Sequence, residues 1–231
     1  MDGRAWAGAA GGAVVLLLVM GAGHDVSAQY PSMAPRDQYM IAGRSEEIAL
    51  ARSAAPPSVS NDADILILGA HGFETAVKGS NGFVCLVERS WDKPFGDPEF
   101  WNPKMRAPIC LNPAAARTIL PTYLERARWA LSGLSMNEMK ERAKTSARAD
   151  MAPARGAMAF MMSREQYLSD KSRSWYPHLM FWQAHTKAAA WGANVPGSPV
   201  LAAEWGPVTV FFVPVWKWSD GTLADLGGHP H

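Results

Sequence analysis

The chain has 231 residues, of which 22 are basic and 21 acidic, and 48% are hydrophobic. A net charge of +1 without a Lys/Arg block gives no electrostatic reason to expect nucleic acid or an anionic membrane surface as a partner. Beyond residue 28 no apolar run is long enough to cross a membrane.

Arg4 supplies a positive start, residues 13–20 form a solid apolar block, and Val26-Ser27-Ala28 offers the small residues a signal peptidase requires. Residues 1–28 therefore read as a signal peptide cleaved after Ala28, and the protein as exported, either periplasmic or secreted. Arg4, Asp2 and Asp25 leave with the leader, so the remaining 203 residues carry 21 basic and 19 acidic groups. That length suits one domain with a real core. Residues 29–43 are polar, contain Pro31 and Pro35, and read as a flexible lead-in. Residues 44–222 read as a single α+β domain and 223–231 as a flexible tail.

A short helix is expected over 46–54, capped by Ser45 and ended by Pro56-Pro57. The stretch 64–91 carries the clearest fold signal. Its apolar runs 65–68, 73–78 and 83–89 are separated by Gly69-Ala70-His71-Gly72 and by Asn81-Gly82. Asn-Gly supplies the positive φ angles of a type I′ turn, so 73–78 and 83–89 are expected to pair as a hairpin. That register sets Glu74 opposite Arg89 and Val77 opposite Leu86. The expected fold is an antiparallel sheet built on this three-stranded meander and covered by helices.

Prolines at 94, 98, 103, 108 and 113 exclude regular structure through the next stretch. Asn112-Pro113 then starts a helix that Pro121 should break or kink, and Ser135 with Glu138 forms a capping box for another. Strands are expected over 156–162 and 178–182, and a hairpin over 200–204 and 208–213 across Trp205-Gly206-Pro207. Cys85 and Cys110 are the only cysteines, and in an exported chain such a pair points to a disulfide.

Catalytic signatures are sparse. The chain contains no G-x-S-x-G, no phosphate-binding Gly-rich loop and no H-E-x-x-H, and nothing calls for a cofactor or a metal. Ser90-Trp91-Asp92-Lys93 matches S-x-x-K, but no K-T-G follows. Glu88 shares a strand face with apolar residues, which would raise its pKa, and His71 lies in a turn of the meander. These two form the acid–base candidate pair for a small hydrolase or metal-assisted enzyme, with His178 as a possible third member. The aromatic inventory supports the other reading. Trp101, Trp216 and Trp218 are candidate ligand-binding residues of a non-catalytic module that contacts a cell-envelope glycan or another exported protein. Mass spectrometry of exported material should show an N-terminus at Gln29 and no alkylatable thiol before reduction.

Overall fold

The structure is a computed structural model that describes residues 29–146 and 151–225. The expected leader lies outside the described residues, as does the expected tail beyond residue 225. Eight strands form one sheet: β1 (Asp64–Gly69), β2 (Gly72–Val77), β3 (Val84–Glu88), β4 (Ala107–Leu111), β5 (Met158–Met161), β6 (His178–Ala184), β7 (Val200–Trp205) and β8 (Val208–Pro214). Their order across the sheet is β2-β1-β3-β4-β5-β6-β8-β7. Among the described residues the helices are α1 (Arg44–Arg52), α2 (Pro57–Ser60), α3 (Pro113–Thr118), α4 (Leu120–Leu131) and α5 (Met136–Thr145). The class is α+β, with every neighbouring strand pair antiparallel except β1 and β3.

The first hairpin forms as its sequence suggests, with Gly69 paired to Gly72 across Ala70-His71. The second does not form. β2 pairs only with β1, and β3 runs parallel to β1 on its other side, with Asp64 opposite Val84 and Ile65 opposite Cys85. Two physical causes account for the correction. Asn81 keeps a negative φ while Gly82 has φ +76°, so the pair cannot make a type I′ turn. Asn81 instead accepts the Phe83 amide on its side chain at 3.0 Å and donates to the Val59 carbonyl at 2.8 Å. Burial also decides the order. The apolar run 65–68 is covered on both faces and takes a partner on each side, whereas Glu74 and Thr75 of β2 are exposed and suit an edge. Arg89 therefore never meets Glu74, which pairs with Arg44 on the surface at 3.3 Å.

The link from β2 to β3 crosses the entry to β1 at very short range. The Ser80 and Asn81 amides donate to the Asp62 carbonyl at 2.8 and 3.2 Å, and the Gly79 amide donates to Asp64 Oδ1 at 2.6 Å. A Cβ on Gly79 would sit 2.3 Å from the Ala63 carbonyl carbon and 2.3 Å from the Asp62 oxygen. Only glycine lets the two backbones pass this closely.

Helices cover both faces of the β1–β4 half. On one side Leu66, Leu86, Ile109 and Leu111 pack with Ala115, Ile119 and Tyr123 of α3 and α4. On the other, Ile65, Cys85, Val87 and Cys110 pack with Ala51, Ala54 and Ala55 at the end of α1. Cys85 and Cys110 face each other across β3 and β4 and form the disulfide, 25 residues apart in sequence. Local signals placed the helices well. Asn112 Oδ1 accepts the Ala115 amide at 2.9 Å, α4 restarts around Pro121, and Ser135 and Glu138 form both halves of the capping box. The cap of α1 differs, being Gly43 rather than Ser45.

Residues 29–43, expected to be a flexible lead-in, pack instead. Tyr39 is fully buried against Trp91, with ring centroids 5.0 Å apart, and its hydroxyl donates to the Trp101 carbonyl at 2.8 Å. The start of the expected tail is also tied down, because the Ala224 amide donates to the Trp216 carbonyl at 2.7 Å. Two stability outcomes follow. Gly79→Ala should lower stability by more than about 2 kcal/mol in denaturant titration, since backbone must move to admit the methyl group. Reduction of the disulfide should cost about 3.5 kcal/mol on the chain-entropy account, read as a drop in the unfolding midpoint.

Candidate functional site

Two features of the fold bear on function: a buried charge cluster at the end of β3, and an exposed aromatic ladder after β8. The cluster begins with strand alternation. Glu88 follows Leu86 onto the α4 face, and Arg89 turns to the α1 face. Glu88 is 6% exposed rather than sitting at the solvent end of its strand. Its neighbours are Asp92, from the 3-10 turn Ser90–Asp92, and Tyr123 and Arg126 from α4, with Tyr123 hydrogen-bonded to the carboxyl. Asp92 accepts the Arg89 amide on Oδ2 at 3.2 Å, while its Oδ1 is buried without a hydrogen-bond partner.

Arg126 faces both carboxyls, with its donors largely committed elsewhere, and Arg89 acts on Asp92 alone. Arg126 gives its terminal nitrogens to the Asp92 and Lys93 carbonyls at 3.2 and 2.7 Å, and its guanidinium lies 4.3 Å from the Phe95 ring centroid. Burial, reinforced by Asp92, pushes Glu88 up to about 8, and burial pushes Asp92 up to about 7. The raised pKa expected at Glu88 is thus present, with a neighbouring acid as a second cause beside the apolar setting.

The expected partner is elsewhere. His71 stands exposed at the tip of the β1–β2 turn, while Glu88 is enclosed under α4. His178 is 2% exposed, and its Nδ1 lies 2.8 Å from the Tyr176 carbonyl. Burial drops it to about 4, so it is neutral, with its ring against Trp175 and Phe212. Ser90 is buried with an unpartnered hydroxyl, and Lys93 lies within ion-pair range of Asp97 and Glu99. No group of three or more His, Cys, Asp or Glu able to hold a metal occurs among the described residues. A shallow groove of about 400 Å³ runs along Pro31, Met33, Trp101 and the turn from α4 to α5, and Glu88, His71 and His178 do not line it.

The aromatic candidates divide. Trp101 is 4% exposed and meets Phe100 edge to face at 4.8 Å, so only its rim reaches the groove and the ring serves as core. Trp216 is 74% exposed. Past Pro214 the chain leaves β8 and folds back on itself, with Lys217 bridged to Leu223 and the Trp218 amide donating to the Thr222 carbonyl at 2.9 Å. Alternation puts Trp216 and Trp218 on one face of this ladder and Lys217 with Leu223 on the other. Trp218 is half-buried, with Arg164 5.8 Å from its ring centroid.

Sequence reasoning missed Asp92, Tyr123 and Arg126 as neighbours of Glu88. The four-residue spacing of Glu88 and Asp92 was visible, but nothing local shows that a helix more than thirty residues onward brings Arg126 over them. The chain matches no protein-family model, no curated protein and no solved structure.

The cluster has a pH signature. Glu88 and Asp92 bind protons more tightly in the folded state than at their ordinary values of 4.5 and 3.8, so stability is greatest below those values and falls as pH rises towards about 8. Asp64 and Asp170 are shifted the other way and act at acid pH, whereas buried His178, dropped to about 4, adds stability as pH rises to its ordinary value of 6.5 and opposes the decline below that point. Urea midpoints taken between about pH 7 and about pH 9, above the range in which His178 contributes, should decline for the wild type and decline less steeply for Glu88→Gln.

Proposed function

We propose that this is an exported, non-catalytic binding protein that engages its partner through the Trp216/Trp218 face. The observation that carries the reading is the exposure of Trp216 at 74%, on a short ladder that leaves the sheet beyond Pro214. An indole held so far out of the core adds little to packing, and it offers a flat apolar face with one donor. Trp218 supplies a second ring on the same side. Arg164 and Asp220 lie beside it, and Asp220 is an anion held low by its hydrogen bonds to Thr222. Stacking rings flanked by charged hydrogen-bonding groups suit a cell-envelope glycan; another exported protein with an apolar anchor is the competing partner. The leader reading supplies the compartment, and the helices of the described residues include none long and apolar enough to cross a membrane.

The hydrolase reading rests on His71 and Glu88. The raised pKa of Glu88 favours it, but the carboxyl is enclosed under α4, and a general acid must come within hydrogen-bond reach of its substrate.

Trp216→Ala should leave stability within about 0.5 kcal/mol of wild type, whereas Trp182→Ala, deep in the core, should cost about 3–5 kcal/mol. Trp216→Ala should also weaken retention on cell-envelope polysaccharide by about fivefold, the equivalent of one stacked ring. Unchanged retention with a large loss of stability would assign the ring to packing. Retention unaffected by Glu88→Gln would separate binding from the buried cluster.

A further inference from the structure

The densest polar centre on the surface belongs to neither feature above. Asp170, in the connection from β5 to β6, accepts hydrogen bonds on both carboxylate oxygens. Lys104 Nζ approaches them at 3.0 and 3.2 Å, Asn102 Nδ2 donates at 3.3 Å, and the Tyr167 hydroxyl donates to Oδ1. The Asp170 amide in turn donates to both oxygens of the buried Glu99 at 3.1 Å, and Glu99 also holds Asn102 at 3.0 Å. The carboxylate is therefore fixed from below. The two remaining donors come from the beginning of the described chain: Gln29 Nε2 at 2.7 Å and the Tyr30 hydroxyl at 2.6 Å, both to Oδ2.

Processing after Ala28 would make Gln29 the first residue. An N-terminal glutamine is chemically unstable. Its α-amine can attack its own side-chain Cδ, forming an N–Cδ bond, breaking the Cδ–Nε2 bond and releasing ammonia, which leaves a neutral five-membered lactam. The reaction requires the side chain to curl back over the amine, and Nε2 must gain a proton to depart. In the folded chain that nitrogen instead donates to a carboxylate, and this tether must be broken before the side chain can curl over the amine.

We propose that Asp170 is the docking site of the mature N-terminus and that it keeps Gln29 open-chain and cationic. The proposal rests on the export reading for the identity of the first residue. It implies that the mature protein begins with an α-ammonium, where cyclisation would leave an uncharged end.

Two preparations test it. The full chain is exported with its own leader, and separately a removable fusion partner replaces residues 1–28, so that a traceless protease leaves Gln29 first. Intact-mass spectrometry follows the loss of ammonia with time. The chain held unfolded in urea gives the unprotected rate. Native wild type should cyclise about tenfold more slowly than this reference, as expected for losing a hydrogen bond to a charged group. Asp170→Ala should return close to the unfolded rate. Tyr30→Phe, which removes only one hydroxyl, should fall between and guards against an Asp170 variant that fails to fold. Native wild type cyclising at the unfolded rate, or a folded Asp170→Ala as slow as wild type, overturns the proposal. Exported protein that does not begin at Gln29 overturns the export reading and with it Gln29 as the mature terminus, while the fusion preparation separately reports on docking.

Discussion

Glu88, the last residue of β3, and Arg89, which follows it, send an acid and a guanidinium into opposite faces of the sheet. Arg89 is fully buried, and its guanidinium makes three contacts: to Glu47 at 2.8 Å, to the Tyr39 carbonyl at 2.8 Å and to the Val87 carbonyl at 2.5 Å. Glu47 also accepts the Leu68 amide at 3.1 Å. One ion pair thus joins α1, β1, β3 and the segment that precedes α1. Desolvating two charges is expensive, and the pair need not outperform an apolar substitute in net stability. Its effect is specificity. An unmatched charge at this depth costs about 3–5 kcal/mol, so α1 and residues 29–43 are confined to the arrangement that satisfies Arg89.

The same logic operates less completely one residue earlier. Glu88 and Asp92 lie under Arg126, whose terminal nitrogens are committed to backbone carbonyls, and burial favours their protonated forms. A buried acid of this kind is often read as catalytic, because perturbed carboxyls cluster at active sites. Structural networks perturb them too, and access distinguishes the cases. Here the acids are roofed by α4, whereas Trp216, beyond β8, stands in solvent. The molecule divides accordingly into a densely braced half and a half with more exposed surface, where Trp205 and Trp216 stand out from the fold.

Local chemistry wrote much of the fold into the sequence. Asn112-Pro113 and Ser135 with Glu138 act within one helical turn, and each satisfies orphan amides wherever the helix lies. Val208 to Val213 owes its strand character to branched and aromatic side chains, and the Ala70-His71 turn to the glycines flanking it. The cysteine pair was legible because the chain has two cysteines and no others, and their strands proved to be direct neighbours. The exposed Trp216 was also foreseeable, since Pro214 cannot donate to a ladder and Ser219-Asp220-Gly221 belongs at a surface.

Which strand lies beside which was not legible. Asn81-Gly82 is compatible with a hairpin and with a crossing loop. The choice fell to β1, whose two apolar faces and two open edges are best covered when β2 and β3 flank it, with Gly79 admitting the crossing. Trp101 could have been a ligand platform until Phe100 and Tyr39 closed around it. Glu88 could have been an exposed strand end until α4 arrived with Tyr123 and Arg126. The sequence by itself determined the caps of α3 and α5, the Ala70-His71 turn and the β8 strand, because those depend on residues a few positions apart, while the proline spacing wrongly excluded a central strand where β4 runs through Pro108. The tertiary structure alone decided strand order, the burial of Glu88, Arg89 and Asp92, and the docking of Gln29 and Tyr30 on Asp170. Those contacts join residues up to 141 positions apart, and only the competition for burial and for charge partners across the whole chain can choose them.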